Sequence, residues 1–141
     1  MAPQMIFVNL PVKDLDASKA FYEKLGFSVN PQFTDETAAC VVISDTIFVM
    51  LLTEEKFRTF TAPGKEIADA TKVTEALVTL SAESREKVDA LADAALAAGG
   101  GPAKEPLEMG FMYGRSFTDL DGHHWEVFWM DPAAAQGGAQ G

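Results

Sequence analysis

Apolar and polar residues in the first half of the chain follow, in turn, the two-residue period of strands and the one-sided stripe of a helix. Residues 5–12 predict a strand, and the apolar stripe between Asp14 and Leu25 predicts a helix that Gly26 ends. Strand-like runs follow at residues 27–31, 38–44 and 47–53. The polar turn at residues 45–46 predicts that the last two of these strands pair as a hairpin.

The second half repeats this order after residues 54–74, a polar stretch that we interpret as a linker. Residues 75–81 predict a strand, and either Ser81 or Ser84 caps a helix that ends at the glycines of residues 99–101. Strand-like runs then occupy residues 102–107, 110–117 and 124–130. Each half is therefore a strand, a helix and three strands.

This repeated order predicts the α+β class, with two tandem βαβββ modules in residues 5–53 and 75–131. We interpret residues 1–131 as a single domain, because a domain of this length can bury a sizeable core. Residues 132–141 are rich in Ala, Gln and Gly, and they are predicted to form a disordered tail.

The composition argues against some classes of partner. The net charge is -10, whereas binding to nucleic acid or to an anionic membrane surface requires basic residues, so we expect neither partner. No basic and apolar signal precedes Met5, and no apolar run approaches ~18 residues, so a cytoplasmic location is predicted. The single cysteine, Cys40, lies in an apolar run and is interpreted as a buried, inert thiol.

The most informative stretch is residues 118–130, where an acidic turn precedes an aromatic strand. Side chains alternate along a strand, so Glu126 shares a face with His124 and Phe128. A carboxylate inside such a strand needs a partner, a metal ion or water. We interpret His124 either as a satisfied histidine at the mouth of a pocket or as a catalytic residue beside Glu126.

Arg115 is the second notable charge in this half of the chain. It has the same strand parity as Phe117, and both side chains are predicted to point into a cavity. One interpretation makes Arg115 a clamp for a substrate carboxylate, and the other makes it an internal salt bridge with Glu126 or another acid. The residues alone leave both interpretations open.

Two stretches resemble the glyoxalase, bleomycin-resistance and extradiol-dioxygenase superfamily, also called the vicinal oxygen chelate superfamily. The first comprises residues 7–15, FVNLPVKDL, with residues 20–27, AFYEKLGF, and the second comprises residues 117–126, FTDLDGHHWE. Residues 48–52 and 110–117 are similar to a branch whose members are called predicted lactoylglutathione lyases. The resemblance covers residues 5–131, and it implies a curled mixed sheet around a pocket, with the helices outside.

The resemblance also implies a metal site in some relatives, with ligands at four inward strand positions. In this chain those positions fall on Phe7, Met50, Leu77 and Glu126. Only Glu126 is a suitable ligand, whereas catalytic zinc sites use three protein ligands plus water, so no resident metal is predicted. A register slip of two residues would instead offer Asn9 and Glu75 beside Glu126 and His124.

Three functional classes are compatible with this resemblance. The favoured one is a metal-free protein that binds or sequesters a small molecule, and the resemblance also implies a homodimer. The alternatives are a lyase or isomerase of lactoylglutathione lyase type that uses zinc, nickel or manganese, and a metal-free enzyme with Glu126 and His124 as acid–base groups. The expected ligand-binding residues are Phe7, Asn9, Met50, Leu77, Arg115, Phe117 and Glu126.

Overall fold

Two units make up the chain, Met1–Asp69 and Ala70–Gly141, and a computed structural model describes residues 2–134 of them. The elements of the first unit are β1 (Ile6–Val12), α1 (Leu15–Lys24), β2 (Ser28–Asn30), β3 (Ala38–Val42), β4 (Ile47–Thr53) and α2 (Glu54–Phe60). Its sheet has the order β1-β4-β3-β2, in which β1 runs parallel to β4 and the other pairs are antiparallel. The antiparallel β3–β4 pair confirms the predicted hairpin.

Helix α1 packs against β3 and β4 of this sheet. The Asp14 side chain caps its first turn by accepting a hydrogen bond from the backbone N–H of Ala17 at 3.1 Å. Phe21 and Tyr22 are each 1% exposed, so the apolar stripe of the helix forms the core of the unit. The predicted burial of Cys40 on β3 is confirmed, and this burial raises the pKa of its thiol.

The second unit repeats the topology of the first. Its elements are β5 (Leu77–Ser81), α3 (Arg85–Ala97), β6 (Gly101–Pro102), β7 (Leu107–Glu108), β8 (Met112–Thr118) and β9 (His124–Met130). The strand order is β5-β9-β8-β6, and β7 also pairs with β8. In both units the first strand lies parallel to the last, and the last strand pairs antiparallel with the one before it. The predicted α+β class with two repeated modules is confirmed.

Helix α3 packs against β8 and β9 of the second sheet. Ser84 rather than Ser81 is its cap, because the Ser84 hydroxyl accepts a hydrogen bond from the backbone N–H three residues further on, at 3.1 Å. The helix buries its small and branched residues Val88, Ala92 and Ala95, each of which is 0% exposed. Short side chains on this stripe allow the helix to approach the sheet closely.

Some segments differ from the predictions made from the sequence. Pro31–Phe33 forms a 3-10 turn instead of continuing the strand, because the Asn30 side chain caps it. The strand predicted for residues 102–107 is interrupted between β6 and β7, since Pro106 has no N–H for the sheet ladder. Glu75 precedes β5, so it lies outside the strand on which a shifted metal site would depend. Helix α2 occupies the start of the segment interpreted as a linker.

The predicted tail falls mainly beyond the described part of the chain. Residues 132–134 are helical, and residues 135–141 lie outside the described residues. Between residues 2 and 134, no helix has the length and apolar character needed to cross a membrane. The cytoplasmic location and the single-domain organisation stay predictions.

Candidate functional site

The acidic turn between β8 and β9 is built around Asp119, which is 5% exposed. Its Oδ1 accepts hydrogen bonds from the backbone N–H groups of Asp121 at 3.0 Å and His123 at 2.9 Å. Its Oδ2 lies 3.4 Å from the Nε1 donor of Trp125. Gly122 has a φ of 88°, a conformation that L side chains rarely adopt. The turn is therefore structural, and it sets the start of the strand that carries His124 and Glu126.

Glu126 lies at the centre of the sheet face that is not covered by α3. Its register partners are Thr79 on β5 and Ser116 on β8. The Thr79 hydroxyl donates a hydrogen bond to Oε1 at 3.3 Å, and His124 Nε2 lies 3.2 Å from Oε2. The side chains of His124 and Glu126 are 15% and 35% exposed. Both carboxylate oxygens therefore have a protein partner, while part of the carboxylate still faces solvent.

This face forms the floor of a cleft of about 1050 Å³ that lies entirely within the second unit. Residues 102–107 form the opposite wall, and the backbone N–H of Lys104 donates to Ser116 Oγ at 2.9 Å. The polar floor residues are Thr79, Ser116 and Glu126, and the apolar ones include Met112, Phe128 and Met130. The cleft thus combines the Glu126 carboxylate on its floor with an apolar surface, while Lys104 and Glu105 place charged groups on its wall.

Arg115 is among the residues that line the cleft, but its guanidinium and the ring of Phe117 lie on the opposite face of the sheet, so the predicted orientation of the two side chains into the cavity is wrong. Phe117 is 1% exposed, and the centroid of its ring lies 6.4 Å from that of Trp125. Arg115 Nη1 donates to Asp89 at 3.0 Å and to Asp93 at 2.8 Å, both on α3. The proposed pairing of Arg115 with Glu126 is therefore incorrect, and the interpretation as a salt bridge to other acids is correct.

The partners of Asp89 extend this network on the helix side of the sheet. The Tyr113 hydroxyl donates to Asp89 Oδ1 at 2.6 Å. This hydrogen bond, followed by that from Arg115, lowers the pKa of Asp89. Strands β8 and β9 are thus attached to α3 by charged groups as well as by apolar packing.

Three of the predicted ligand-binding residues, Phe7, Asn9 and Met50, lie in the first unit. Phe7 is 49% exposed, and its ring stacks on that of Phe48 with centroids 4.8 Å apart. Asn9 is the register partner of Met50, and its side-chain amide lies 3.4 Å from the carbonyl oxygen of Phe7. This surface is apolar where metal-dependent relatives are expected to carry ligands.

Leu77 occupies another of the four family ligand positions, and it lies in the second unit, as Glu126 does. It is the register partner of His124 in the pairing of β5 with β9. Its apolar side chain is 56% exposed and cannot ligate a metal ion. In the part of the chain from residue 2 to residue 134, no group of three or more His, Cys, Asp or Glu side chains could hold a metal ion. The residues present therefore do not fit the site that the resemblance implies.

Thr79 and Ser116 carry the two hydroxyl groups beside Glu126, and neither residue was predicted from the sequence to belong to the site. The turn pairs Thr118 with His124, so two residues further from the turn Ser116 must face Glu126. Counting outward from the acidic turn would therefore have identified Ser116. Thr79 depends on the parallel register of β5, for which the sequence contains no comparable marker.

Comparisons with known proteins agree with this architecture. The bleomycin resistance protein-like N-terminal family matches residues 4–44. The hypothetical protein SA1046 from S. aureus is 33% identical, with a TM-score of 0.74, and the alignment covers 92% of this chain and 95% of that one. Among proteins of curated function, the chain has no match.

Two further solved structures have the same fold at lower identity. A glyoxalase/bleomycin resistance protein/dioxygenase family enzyme from Burkholderia phytofirmans PsJN is 20% identical, with a TM-score of 0.74, over 88% of this chain and 96% of that one. A glyoxalase-related enzyme from Fulvimarina pelagi is 19% identical, with a TM-score of 0.72, over 91% and 88% of the two chains. The fold is thus of the glyoxalase type. The chain belongs to the glyoxalase, bleomycin-resistance and extradiol-dioxygenase superfamily.

Proposed function

We propose that the chain binds a small organic molecule in the cleft of the second unit, without a resident divalent metal ion. The observation that supports this most strongly is the Glu126 carboxylate on the cleft floor, contacted by Thr79 and His124 yet 35% exposed. A ligand entering the cleft can therefore still reach the carboxylate. Buried or half-buried carboxylates that face a concave apolar surface are common features of ligand sites.

The lining of the cleft suggests the chemistry of the ligand. The oxygens of Glu126 accept hydrogen bonds, so a complementary ligand carries O–H or N–H donors or a positive charge. Met112, Phe128 and Met130 offer apolar contacts, and methionine adapts to ligands of different shape. The volume of about 1050 Å³ is sufficient for a drug-sized molecule, since such sites span roughly 300–1,000 Å³.

The metal-dependent alternative is a lyase or isomerase of the lactoylglutathione lyase type. It would need ligands at family positions that carry Phe7, Met50 and Leu77 in this chain. Apolar side chains there cannot complete a three-ligand site around Glu126. A zinc, nickel or manganese ion at one per chain in protein purified without chelator, lost on Glu126→Gln, would restore this alternative.

A second candidate function rests on the contact between His124 and Glu126. An imidazole nitrogen 3.2 Å from a carboxylate oxygen is the geometry of a proton-transferring pair. Such a pair could move a proton on a ligand held in the cleft. Turnover that is lost in both His124→Gln and Glu126→Gln, while ligand affinity persists, would favour this enzyme over a binding protein.

The proposal is tested by screening small molecules for binding to protein freed of metals with EDTA. We expect binders with donor or cationic groups to lose at least about tenfold in affinity on Glu126→Gln, because hydrogen bonds to charged groups contribute about 1.5–3 kcal/mol. Glu55→Gln, which removes an exposed carboxylate of α2 in the first unit, is the control and should bind normally. Equal affinity in the two variants, or binding that requires added metal, would contradict the proposal.

The assembly of the protein is also proposed rather than observed. We propose a homodimer, because β1 and β5 are edge strands that expose Ile6, Phe7 and Leu77. A second copy would cover these side chains, as pairing is common in this superfamily. Sedimentation at micromolar concentration should show a species of twice 15.2 kDa, and a single species of 15.2 kDa would count against the dimer.

A further inference from the structure

Residues 107–111, which we call the rim, connect Leu107 on the cleft wall to Met112 on the cleft floor, and few interactions hold them to the sheet. Strand β7 of the rim has two residues, Leu107 and Glu108, which pair with β8. The side chains of Leu107, Met109 and Phe111 are 47%, 50% and 43% exposed. A short strand that buries so little apolar surface is prone to local opening.

One side chain of α3 reaches this rim. Arg85, the first residue of the helix, donates hydrogen bonds to both carboxylate oxygens of Glu108, with Nη2 2.9 Å from Oε1. Nη2 also donates to the carbonyl oxygen of Gly110 at 2.8 Å, and the Gly110 N–H donates back to Glu108 Oε1 at 2.8 Å. A two-pronged arginine–carboxylate pair fixes the direction of its partner as well as neutralising its charge.

The guanidinium of Arg85 is itself held between two aromatic rings. It lies 5.3 Å from the ring centroid of Tyr113 on β8 and 5.0 Å from that of Trp129 on β9. Tyr113 is in turn hydrogen-bonded to Asp89, one turn further along α3. Arg85 is therefore held in place by α3 and by the aromatic rings of β8 and β9, whereas its hydrogen-bond partners belong to the rim.

We propose that Arg85 is a positioning residue that fixes the rim, and with it the wall at residues 102–107, in the arrangement that closes the cleft. The wall follows the rim because Leu107 belongs to both. Exposed ion pairs add little to global stability, so loss of Arg85 should loosen the rim without unfolding the unit. The inference rests on the proposed function only where ligand binding is measured.

Residue-resolved hydrogen exchange measures this role without a ligand. In the rim, the N–H of Met109 donates to the carbonyl oxygen of Met112 at the start of β8, and the N–H of Phe111 donates to that of Met109. We expect Arg85→Gln to raise their exchange rates about five- to tenfold, because the arginine ties no longer oppose opening. Exchange of Val127 in the sheet should not change. Unchanged exchange in the rim, or an equal increase at Val127, would overturn the proposal.

We call the contacts of Arg85 with Glu108 and Gly110 the clamp. Further variants distinguish loss of the clamp from a general loss of positive charge. Arg85→Lys keeps the charge but not the fork, so it should show an intermediate increase. Glu108→Gln should resemble Arg85→Gln, and the double variant should add little to either one. Lys87→Gln removes another ion pair of the same helix, Lys87–Glu83, and should leave the rim unaffected. If Arg85→Gln does not fold, Arg85→Lys and Glu108→Gln still decide, and exchange unchanged in both would reject the clamp.

Binding of rhodamine 6G, a cationic dye with an apolar body, tests the consequence for the cleft. We expect Arg85→Gln to bind the dye at least about threefold more weakly than the wild type, and Lys87→Gln to bind it normally. Equal dye affinity in wild type and Arg85→Gln, despite a loosened rim, would overturn the role in ligand binding. Failure of the wild type to bind the dye would count against the proposed function, and the exchange experiment would still decide the clamp.

Discussion

Strands β4 and β9 occupy the same place in the two sheets, yet their central residues have opposite chemistry. In the first unit Met50 lies between Asn9 on β1 and Cys40 on β3. In the second unit Glu126 lies between Thr79 on β5 and Ser116 on β8, at the floor of a cleft. The repeated topology therefore supplies two equivalent positions, of which the second carries the polar groups.

The helix sides of the two sheets differ as well. Helix α1 packs on its sheet through apolar groups such as Phe21 and Tyr22. Helix α3 adds charged contacts, in which Arg115 donates to Asp89 of the helix and Arg85 of the helix donates to Glu108. Helix α1 is thus held to its sheet by apolar packing, whereas α3 is held by apolar packing and by charged contacts. One of these charged contacts, between Arg85 and Glu108, connects α3 to the rim.

We expect the largest loss of stability from a substitution on the buried face of β8, and a much smaller loss from one on its cleft face. Phe117→Ala removes a fully buried ring stacked on Trp125, and it should lower the free energy of unfolding by about 3–5 kcal/mol. Ser116→Ala, the adjacent residue on the cleft face, should lower it by only about 0.5–1.5 kcal/mol. Urea denaturation measures both values. Equal losses would show that the two faces are not divided into core and cleft.

The next largest loss of stability is expected in the turn that precedes β9, and not in the equivalent turn that precedes β4. Asp119→Ala removes the acceptor of two backbone N–H groups and of Trp125, so we expect a loss of about 1–3 kcal/mol in the free energy of unfolding. Asp45→Ala, in the exposed β3–β4 turn, should change it by less than about 0.5 kcal/mol. A comparable loss in both variants would mean that the acidic turn of the second unit has no special role.

A smaller loss of stability is expected when Glu126, on the cleft floor, is substituted. Glu126→Gln keeps an oxygen that can accept a hydrogen bond from the Thr79 hydroxyl, and the Glu126 side chain is 35% exposed. The free energy of unfolding should therefore change by no more than about 0.5–1 kcal/mol, while ligand affinity falls at least about tenfold. A large loss of stability would instead make Glu126 a structural group. Unchanged stability with unchanged binding would make it a relic of the superfamily metal site.

The smallest effect is a dependence of stability on pH that arises from the ion pair between Arg85 and Glu108 in the second unit. Hydrogen bonds from Arg85, and then from the Gly110 N–H, lower the pKa of Glu108 to about 2. A depressed pKa contributes stability that is present above the unfolded-state value, near 4.3 for Glu, and is lost as the pH falls through the folded-state value.

The pH effect is measured as the difference in urea midpoint between wild type and Arg85→Gln. We expect this difference to be constant above about pH 5 and to shrink toward pH 2, as Glu108 becomes protonated. Lys87→Gln, at an exposed pair on the same helix, serves as the control. A difference that persists at pH 2 would assign the effect of Arg85 to packing on Tyr113 and Trp129.

Much of the fold was predictable because the signals were local. Asp14 and Ser84 marked helix starts, Gly26 marked a helix end, and the turn at residues 45–46 marked a hairpin. The candidate site was less predictable because it depends on register between distant strands. Arg115 was assigned to the wrong face for this reason, since parity along one strand does not say which face is covered.

The interrupted strand at residues 102–107 had a different cause. Its residues have strand-like composition, but Pro106 has no N–H for the sheet ladder, and the backbone N–H of Lys104 donates to the side-chain oxygen of Ser116. Tertiary contacts of this kind have no periodic signature in the sequence. The same limit explains why the clamp at Glu108 was not predicted.

We propose that strand β9 of the second unit, and not the equivalent strand β4 of the first, carries a ligand site that needs no metal ion. The most direct test is a map of backbone amide NMR shifts for EDTA-treated protein titrated with a binder from the screen. We expect changes concentrated at Ser116, Glu126 and Lys104, with Met50 and Cys40 unaffected. Changes centred on Met50, or changes that appear only after zinc, nickel or manganese is added, would contradict it.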